Sequence, residues 1–266
     1  MSSARAPAKL NLALVVGARR PQGKHEVATV LQRLALADTI DLEPAGELAV
    51  QGFPEDTLVR SALETLAARA GVPPRWHARI AKRIPVAAGL GGGSSDAATA
   101  LKLANATLAR PIPPGELTQL GAALGADVPF FFAEGPQLGT GDGSTLQALE
   151  LPQDYVVLLV LPEGERKSST RAVYEAFDRR DGARGFAERR ARLDATLAPP
   201  HLAAFPPSDL ASSPLAEELR GHRAFRADVS GAGPIVYGLF ADRRAAEAAE
   251  AALRSRGRTW ITTPEW

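Results

Sequence analysis

From Pro85 to Ala98 the chain reads PVAAGLGGGSSDAA, and this stretch points most clearly to chemistry. Gly89, Gly91, Gly92 and Gly93 surround a single Leu90. Glycine lets backbone N–H groups converge on one point and lets a ligand approach the main chain closely. Ser94 and Ser95 follow, and the pattern beyond them predicts a helix running from a serine cap to about residue 109. A helix start carries unpaired N–H donors and roughly half a positive charge, so loop and helix together form an anion site. The two hydroxyls add donors and a possible Mg²⁺ ligand. Asp96, expected in the first helical turn, suits the dipole rather than the anion. A flexible linker would lack the strand before and the helix after. A P-loop needs a lysine after its last glycine, and none stands here. Gly89, Gly91 and Ser94 match a dinucleotide fingerprint only loosely, and that loop belongs after a first strand, not near residue 90.

Other residues carry chemistry in smaller groups. Asp127, in GADVPFFF, is on its own either a turn carboxylate following Gly125 or a general base. Lys9 is either a solvent-facing strand lysine or a cation for an anionic substrate. Asn11 lies two residues on, hence on the same strand face. Only Lys9, Lys24, Lys82, Lys102 and Lys167 are lysines; all other basic side chains besides histidine are arginine. Gly231, Ala232 and Gly233 form a turn between two apolar segments, either a bare hairpin or a ligand loop. His77, His201 and His222 show no metal-ligand spacing, and the absence of cysteine excludes disulfides and thiolate sites.

Positioning these groups requires a framework that the pattern partly supplies. Residues 8–16 alternate and predict a strand. Residues 26–37 are apolar without a decisive period, and 38–52 read as strand pieces around Pro44 and Gly46. A helix is predicted over 57–70, a strand over 76–82, a helix over 115–124 and a buried strand over 155–161. The segment 178–224 reads as helices with loose connections, and the arginines of its stretch 179–192 read as solvating a helix face. A strand–turn–strand unit, a helix from Arg243 and a closing strand follow. With 266 residues, 45% hydrophobic and 23% charged, the chain suits two modest globular domains, split here at 1–150 and 151–266. The formal net charge of +1 gives a weak overall field, so neither nucleic acid nor membrane is an expected partner. The first sixteen residues have no signal-peptide layout, which makes the cytoplasm the expected address.

PVAAGLGGGSSDAA resembles the second motif of the GHMP kinases, APAKLNLAL the first and VSGAGPIVYGLF the third. PAKLNL, GKHEV, the GLGGGSSDAA form of the loop and GADVPFFF are most similar to the branch acting on a cytidine-diphosphate-linked polyol. The resemblance implies an α+β, two-domain GHMP kinase fold. Its N-terminal ATP-binding α/β domain would be ribosomal protein S5 domain 2-like, and its C-terminal α+β domain ferredoxin-like. It implies transfer of the γ-phosphoryl group of ATP, with Mg²⁺, to a substrate hydroxyl by a monomer or weak homodimer. Asp127 is then the base and Lys9 the cation on the transferring group. Pro85, Gly89, Leu90, Gly91, Gly92, Gly93, Ser94, Ser95 and Asp56 bind ATP. Asn11, Lys24, His25, Thr170, Tyr174, Gly231, Ala232 and Gly233 bind the polyol substrate, with His25 on the cytosine edge and Tyr174 stacked on the base. No metal ligand is assigned. The chain departs from the family pattern at Lys24, where tyrosine is usual, and at Asp142, where glutamate is usual. Asp56 replaces a common asparagine, and Ala232 and Pro234 alter the third motif. These departures keep open a GHMP kinase for another alcohol and a non-catalytic nucleotide-binding relative.

Overall fold

The computed structural model describes residues 1–54, 58–164 and 169–266. The described chain divides into two compact units. One comprises Met1–Ala8, Leu36–Val86 and Gly91–Glu134; the other comprises Lys9–Ala35, Ala87–Leu90 and Gly135–Trp266. Two long paired strands, β1 (Ser2–Arg19) and β2 (His25–Pro44), contribute residues to both.

Residues 26–37, of uncertain type by period, belong to β2 throughout. Val27, Val30, Leu31 and Leu34 are spaced as on a helix face, but side chains on both faces of this strand are buried. A strand covered on both faces loses the two-residue alternation that would identify it. β1 likewise extends past the predicted 8–16 at both ends, through segments without an apolar alternation.

In the first unit β3 (Ala49–Gln51) pairs parallel with β4 (Trp76–Ala81), which pairs antiparallel with β2 from Thr39↔Ala81 to Pro44↔Trp76. Helices α1 (Leu58–Ala70) and α2 (Gly92–Asn105) pack on this sheet, and α3 (Pro114–Leu124) packs against both helices. Ile40, Leu42, Leu63, Leu66, Ile80 and Leu101 are among the buried side chains of their common core.

In the second unit β2 pairs with β5 (Gln137–Gly141), and β5 with β6 (Thr145–Ala148). Its other sheet contains β7 (Val156–Pro162), β8 (Arg226–Val229), β9 (Val236–Phe240) and β10 (Gly257–Thr262), in the order β10-β7-β9-β8 with every neighbour antiparallel. Helices α4 (Thr170–Arg179), α5 (Phe186–Ala195) and α6 (Pro214–Gly221) separate β7 from β8, and α7 (Arg243–Leu253) separates β9 from β10. This is the β-α-β-β-α-β order of a ferredoxin-like unit. Its helix starts are written in the sequence. Ser169 Oγ accepts from Ala172 N, Ser213 Oγ from Leu215 N and Asp242 Oδ1 from Ala245 N. Such caps satisfy donors that the helix itself leaves open.

One arginine of the stretch 179–192 does more than solvate a face. Arg189 Nε bonds Asp209 at 3.0 Å, and its Nη2 reaches the carbonyls of Val16 and Gly182. Asp209 Oδ2 also accepts from Val16 N at 2.8 Å, so this arginine ties α5 to β1.

Candidate active site

In the first unit the glycine loop leads into α2 differently from the serine-capped start expected. Gly91, with φ +68°, is the N-cap, and the helix begins at Gly92 without a side-chain cap. Ser94 and Ser95 therefore lie inside the helix, where Ser95 N bonds Gly91 O at 2.9 Å. The left-handed glycine supplies the turn that a serine cap would otherwise supply. Ser95 Oγ is buried and has no hydrogen-bond partner among the described residues. Asp96 is not in the first turn either; it pairs with Lys82 Nζ at 2.7 Å.

Asp127 occupies the tight turn between α3 and a short 3-10 helix, Pro129–Phe131. The turn is closed by Val128 N to Gly125 O at 3.1 Å, and Val128, Phe130 and Phe131 behind it are buried. Lys102 Nζ bonds the Phe131 carbonyl at 2.6 Å. At Gly121 a Cβ would meet Phe132 and Val128 within 3 Å, so α3 fits closely against this segment. The half-buried carboxylate thus stands on a rigid turn, as positioned acid–base groups require. Pro85 is also half-buried in this unit, and Asp56 lies outside the described residues.

In the second unit the first and third motifs and part of the glycine loop are knitted together. Lys9 and Asn11 are almost fully buried at 4% and 6% exposure. Lys9 Nζ donates to Asn11 Oδ1 at 2.6 Å, and Lys9 N to Leu90 O at 2.9 Å. Asn11 Nδ2 donates to Thr29 Oγ1, which donates to Ala13 O. Asn11 N donates to Ser230 Oγ at 3.2 Å, and Ser230 Oγ to Gly89 O at 3.1 Å. Tyr237 Oη donates to Leu12 O at 3.0 Å; burial pushes its pKa up to about 12, so it stays a donor at neutral pH. Each polar group named here has a partner, as burial demands.

The glycines of this cluster are fitted to their positions. Gly231 and Gly233 have φ of +59° and +71°, and a Cβ on Gly231 would stand 3.0 Å from Asn11 Oδ1. Gly89 has φ +86°, and its Cβ would lie 2.5 Å from Ser230 O. Left-handed backbone costs a non-glycine residue about 1–2 kcal/mol before any clash. Gly89→Ala is therefore expected to lower Tm by about 4 °C or more. Gly46→Ala, with no atom within 4 Å of its Cβ, serves as the neutral control. An unchanged Tm for Gly89→Ala in a thermal melt would refute this account.

A second group lies elsewhere in the same unit. His25 Nε2 meets Asp178 Oδ1 at 2.7 Å, and its ring stacks on Tyr174 with centroids 4.7 Å apart and planes at 29°. Phe177 meets the imidazole edge-on at 6.0 Å. Tyr174 and Ala232 both pack against an apolar cluster including Leu14, Val16 and Phe177. Thr170 is exposed at the first turn of α4. Lys24 Nζ reaches Asp142 Oδ2 at 2.6 Å, so two departures from the family pattern form an ion pair. Hydrogen bonds from Lys24 and Ser144 bring the Asp142 pKa down to about 2. Asp178, Thr29 and Ser230 were not singled out from sequence. Asp178 follows Tyr174 by four residues on one helix and so shares its face; Thr29 and Ser230 meet Asn11 only through the fold.

Models of the GHMP kinases N terminal domain and the GHMP kinases C terminal domain match residues 57–135 and 200–259. The 4-diphosphocytidyl-2-C-methyl-D-erythritol kinase of Streptomyces avermitilis is 36% identical, across 95% of this chain and 92% of its own. The kinase of the same name from Salinibacter ruber is 37% identical across 94% of each. The chain is a member of the GHMP kinase family. A crystal structure titled 4-(cytidine 5'-diphospho)-2C-methyl-D-erythritol kinase matches this GHMP kinase at 31% identity and a TM-score of 0.82, over 100% of both chains. The α+β two-domain fold expected from the motifs is thus the fold of the family. GHMP kinases use ATP as substrate, and the glycine loop lies within the N-terminal match.

Proposed function

We propose that this enzyme transfers the γ-phosphoryl group of ATP to the 2-hydroxyl of 4-diphosphocytidyl-2-C-methyl-D-erythritol, a step in non-mevalonate isoprenoid precursor synthesis. The supporting observation is near-full-length similarity to kinases of that name, including a solved structure of the same fold. Residues 1–150 would form the ATP-binding half and 151–266 the C-terminal half.

Phosphoryl transfer is chiefly a matter of alignment and charge stabilisation. The hydroxyl oxygen bonds to the γ-phosphorus as the bond to the β–γ bridging oxygen breaks and ADP leaves. Asp127 takes the hydroxyl proton. The ammonium of Lys9 offsets charge on the transferring group, and Asn11 orients the alcohol. Backbone donors of Gly89–Ser95, with Pro85 and Asp56 beside them, hold ATP. The turn Gly231–Ala232–Gly233 bears on the alcohol.

Mg²⁺ suits this donor set. Among the described residues no three or more acidic or histidine side chains are grouped to hold a metal, and Mg²⁺ on a nucleotide needs only one or two protein oxygens. Ser95 Oγ, buried and without a hydrogen-bond partner among the described residues, would supply one such oxygen and Ser94 Oγ a second. When bound, the ion neutralises charge on the β- and γ-phosphates.

His25, Tyr174, Lys24 and Thr170 would receive the cytidine end. A carboxylate can only accept, so Asp178 fixes the proton of a neutral His25 on Nε2 and leaves Nδ1 as acceptor. An acceptor there suits the exocyclic amine of cytosine and not the carbonyl of uracil. Asp178→Ala is expected to raise KM for the cytidine substrate by several-fold to about tenfold, the worth of one hydrogen bond. KM for ATP should stay unchanged, and the penalty for a uridine analogue should shrink. Unaltered kinetics would remove Asp178 from recognition.

The deciding assay is ADP release from Mg²⁺-ATP with and without 4-diphosphocytidyl-2-C-methyl-D-erythritol. Substrate-dependent release establishes the activity. ATP binding without release, followed by turnover of another alcohol in a screen, would transfer the enzyme to another branch of the family. Cytoplasmic location and a monomer or weak homodimer accompany the proposal.

A further inference from the structure

Behind the start of α2 lies a charged group that the reaction as described does not use. Asp38, on β2, is fully buried; Asp96, on α2, is 1% exposed. Lys82, just past β4, stands between them with Nζ 2.5 Å from Asp38 Oδ2 and 2.7 Å from Asp96 Oδ2. The other Asp38 oxygen accepts from the backbone N–H groups of Arg83 and Ile84, at 2.5 and 2.8 Å. Those residues lead directly into the glycine loop. A Cβ on Gly92, the first residue of α2, would stand 3.3 Å from Lys82 Nζ. The Phe53 ring lies 5.6 Å from the same ammonium.

Such a group is more than the fold needs. A buried ion pair is often no more stabilising than apolar packing of the same volume, whereas a buried charge stripped of its partner is strongly unfavourable. What this cluster adds is fixed geometry at one place. Asp38 holds the backbone entering the loop, Asp96 holds the helix leaving it, and Lys82 joins the two. It also adds charge balance. Without the ammonium, two carboxylates would sit behind a helix start that is to receive phosphate.

We propose that Lys82 is a positioning residue for ATP, fixing the glycine loop against α2 through Asp38 and Asp96 and cancelling their charge behind the phosphate site. The inference rests on the reading that the loop binds ATP. Burial opposes the charged form of Lys82, but Asp96 and Asp38 outweigh it and hold the pKa above its ordinary value, so the cation persists.

The test measures KM for ATP, KM for the alcohol and kcat in Lys82→Met, Lys82→Arg and Asp96→Asn, with a thermal melt of each. Lys82→Met is expected to raise KM for ATP at least tenfold while KM for the alcohol stays within twofold. Lys82→Arg, which keeps the charge, should recover most of that loss. Asp96→Asn keeps the Lys82–Asp38 pair and decides the matter if Lys82→Met does not fold; it should raise KM for ATP about threefold. Folded variants with wild-type KM for ATP would overturn the inference, as would equal rises in both KM values. A wild-type enzyme that turns over while the variants match it overturns this inference alone. A wild-type enzyme that binds no ATP overturns the proposed function and this inference with it.

Discussion

Asp127→Asn should lower kcat by about 10²–10⁴-fold, the range that a positioned general base contributes. Asparagine keeps the size and planarity of the side chain but cannot accept the hydroxyl proton. The turn around it is also held by groups that the substitution leaves in place. Val128 N bonds Gly125 O, Lys102 Nζ bonds Phe131 O, and Val128, Phe130 and Phe131 are buried. The variant should therefore fold and bind ATP normally, and a thermal melt checks that it is folded. KM for the alcohol should change little, because the lost interaction belongs to the transition state rather than the ground state. Single-turnover phosphoryl transfer at saturating ATP and alcohol reads this directly. A fall of less than about tenfold would remove Asp127 from the role of base.

Asp127 also marks the boundary between what the sequence makes legible and what it does not. Its residue type and the Gly125 before it favour a turn carboxylate over a base; only the similarity of GADVPFFF to the GHMP kinases reverses that reading. The glycine loop is different, because consecutive glycines, hydroxyls and a helix start constrain each other locally. Even there the register escaped by a few residues. A serine cap was the better expectation from propensity, but a left-handed Gly91 takes the cap and draws Ser94 and Ser95 into the helix. The two-residue period identified the middle of β1, yet it failed for β2 because that strand is covered on both faces. Lys82 could be singled out as one of few lysines. Its carboxylate partners could not, since Asp38 is 44 residues away in sequence and reaches it only through the pairing of β2 with β4. Long-range polar pairs of this kind have no local signal, and neither does the meeting of Asn11 with Ser230.

The Lys9–Asn11 pair makes the second large prediction, and its two consequences separate catalysis from folding. Lys9→Met keeps the unbranched stem but removes the ammonium. If that ammonium offsets charge developing on the transferring phosphoryl group, kcat should fall by about 10²–10³-fold, as it does when one preorganised donor is lost. The same change deprives Asn11 Oδ1 of a buried 2.6 Å donor, which costs about 1–3 kcal/mol of stability. Lys9→Arg should not rescue the rate, because a planar guanidinium cannot enter a site shaped for a compact ammonium. Asn11→Asp provides the counter-test. It retains an acceptor for Lys9, but it replaces the Nδ2–H donor to Thr29 with an oxygen, and Thr29 Oγ1 already donates to Ala13 O. Stability should therefore fall in Asn11→Asp at least as far as in Lys9→Met, with a smaller loss of kcat. Comparing the two variants by chemical denaturation and by kcat on the folded fraction assigns the rate effect to the ammonium. Equal rate losses in both would mean that the network only holds β1 in place and that the transferring phosphoryl group draws its neutralising charge from elsewhere.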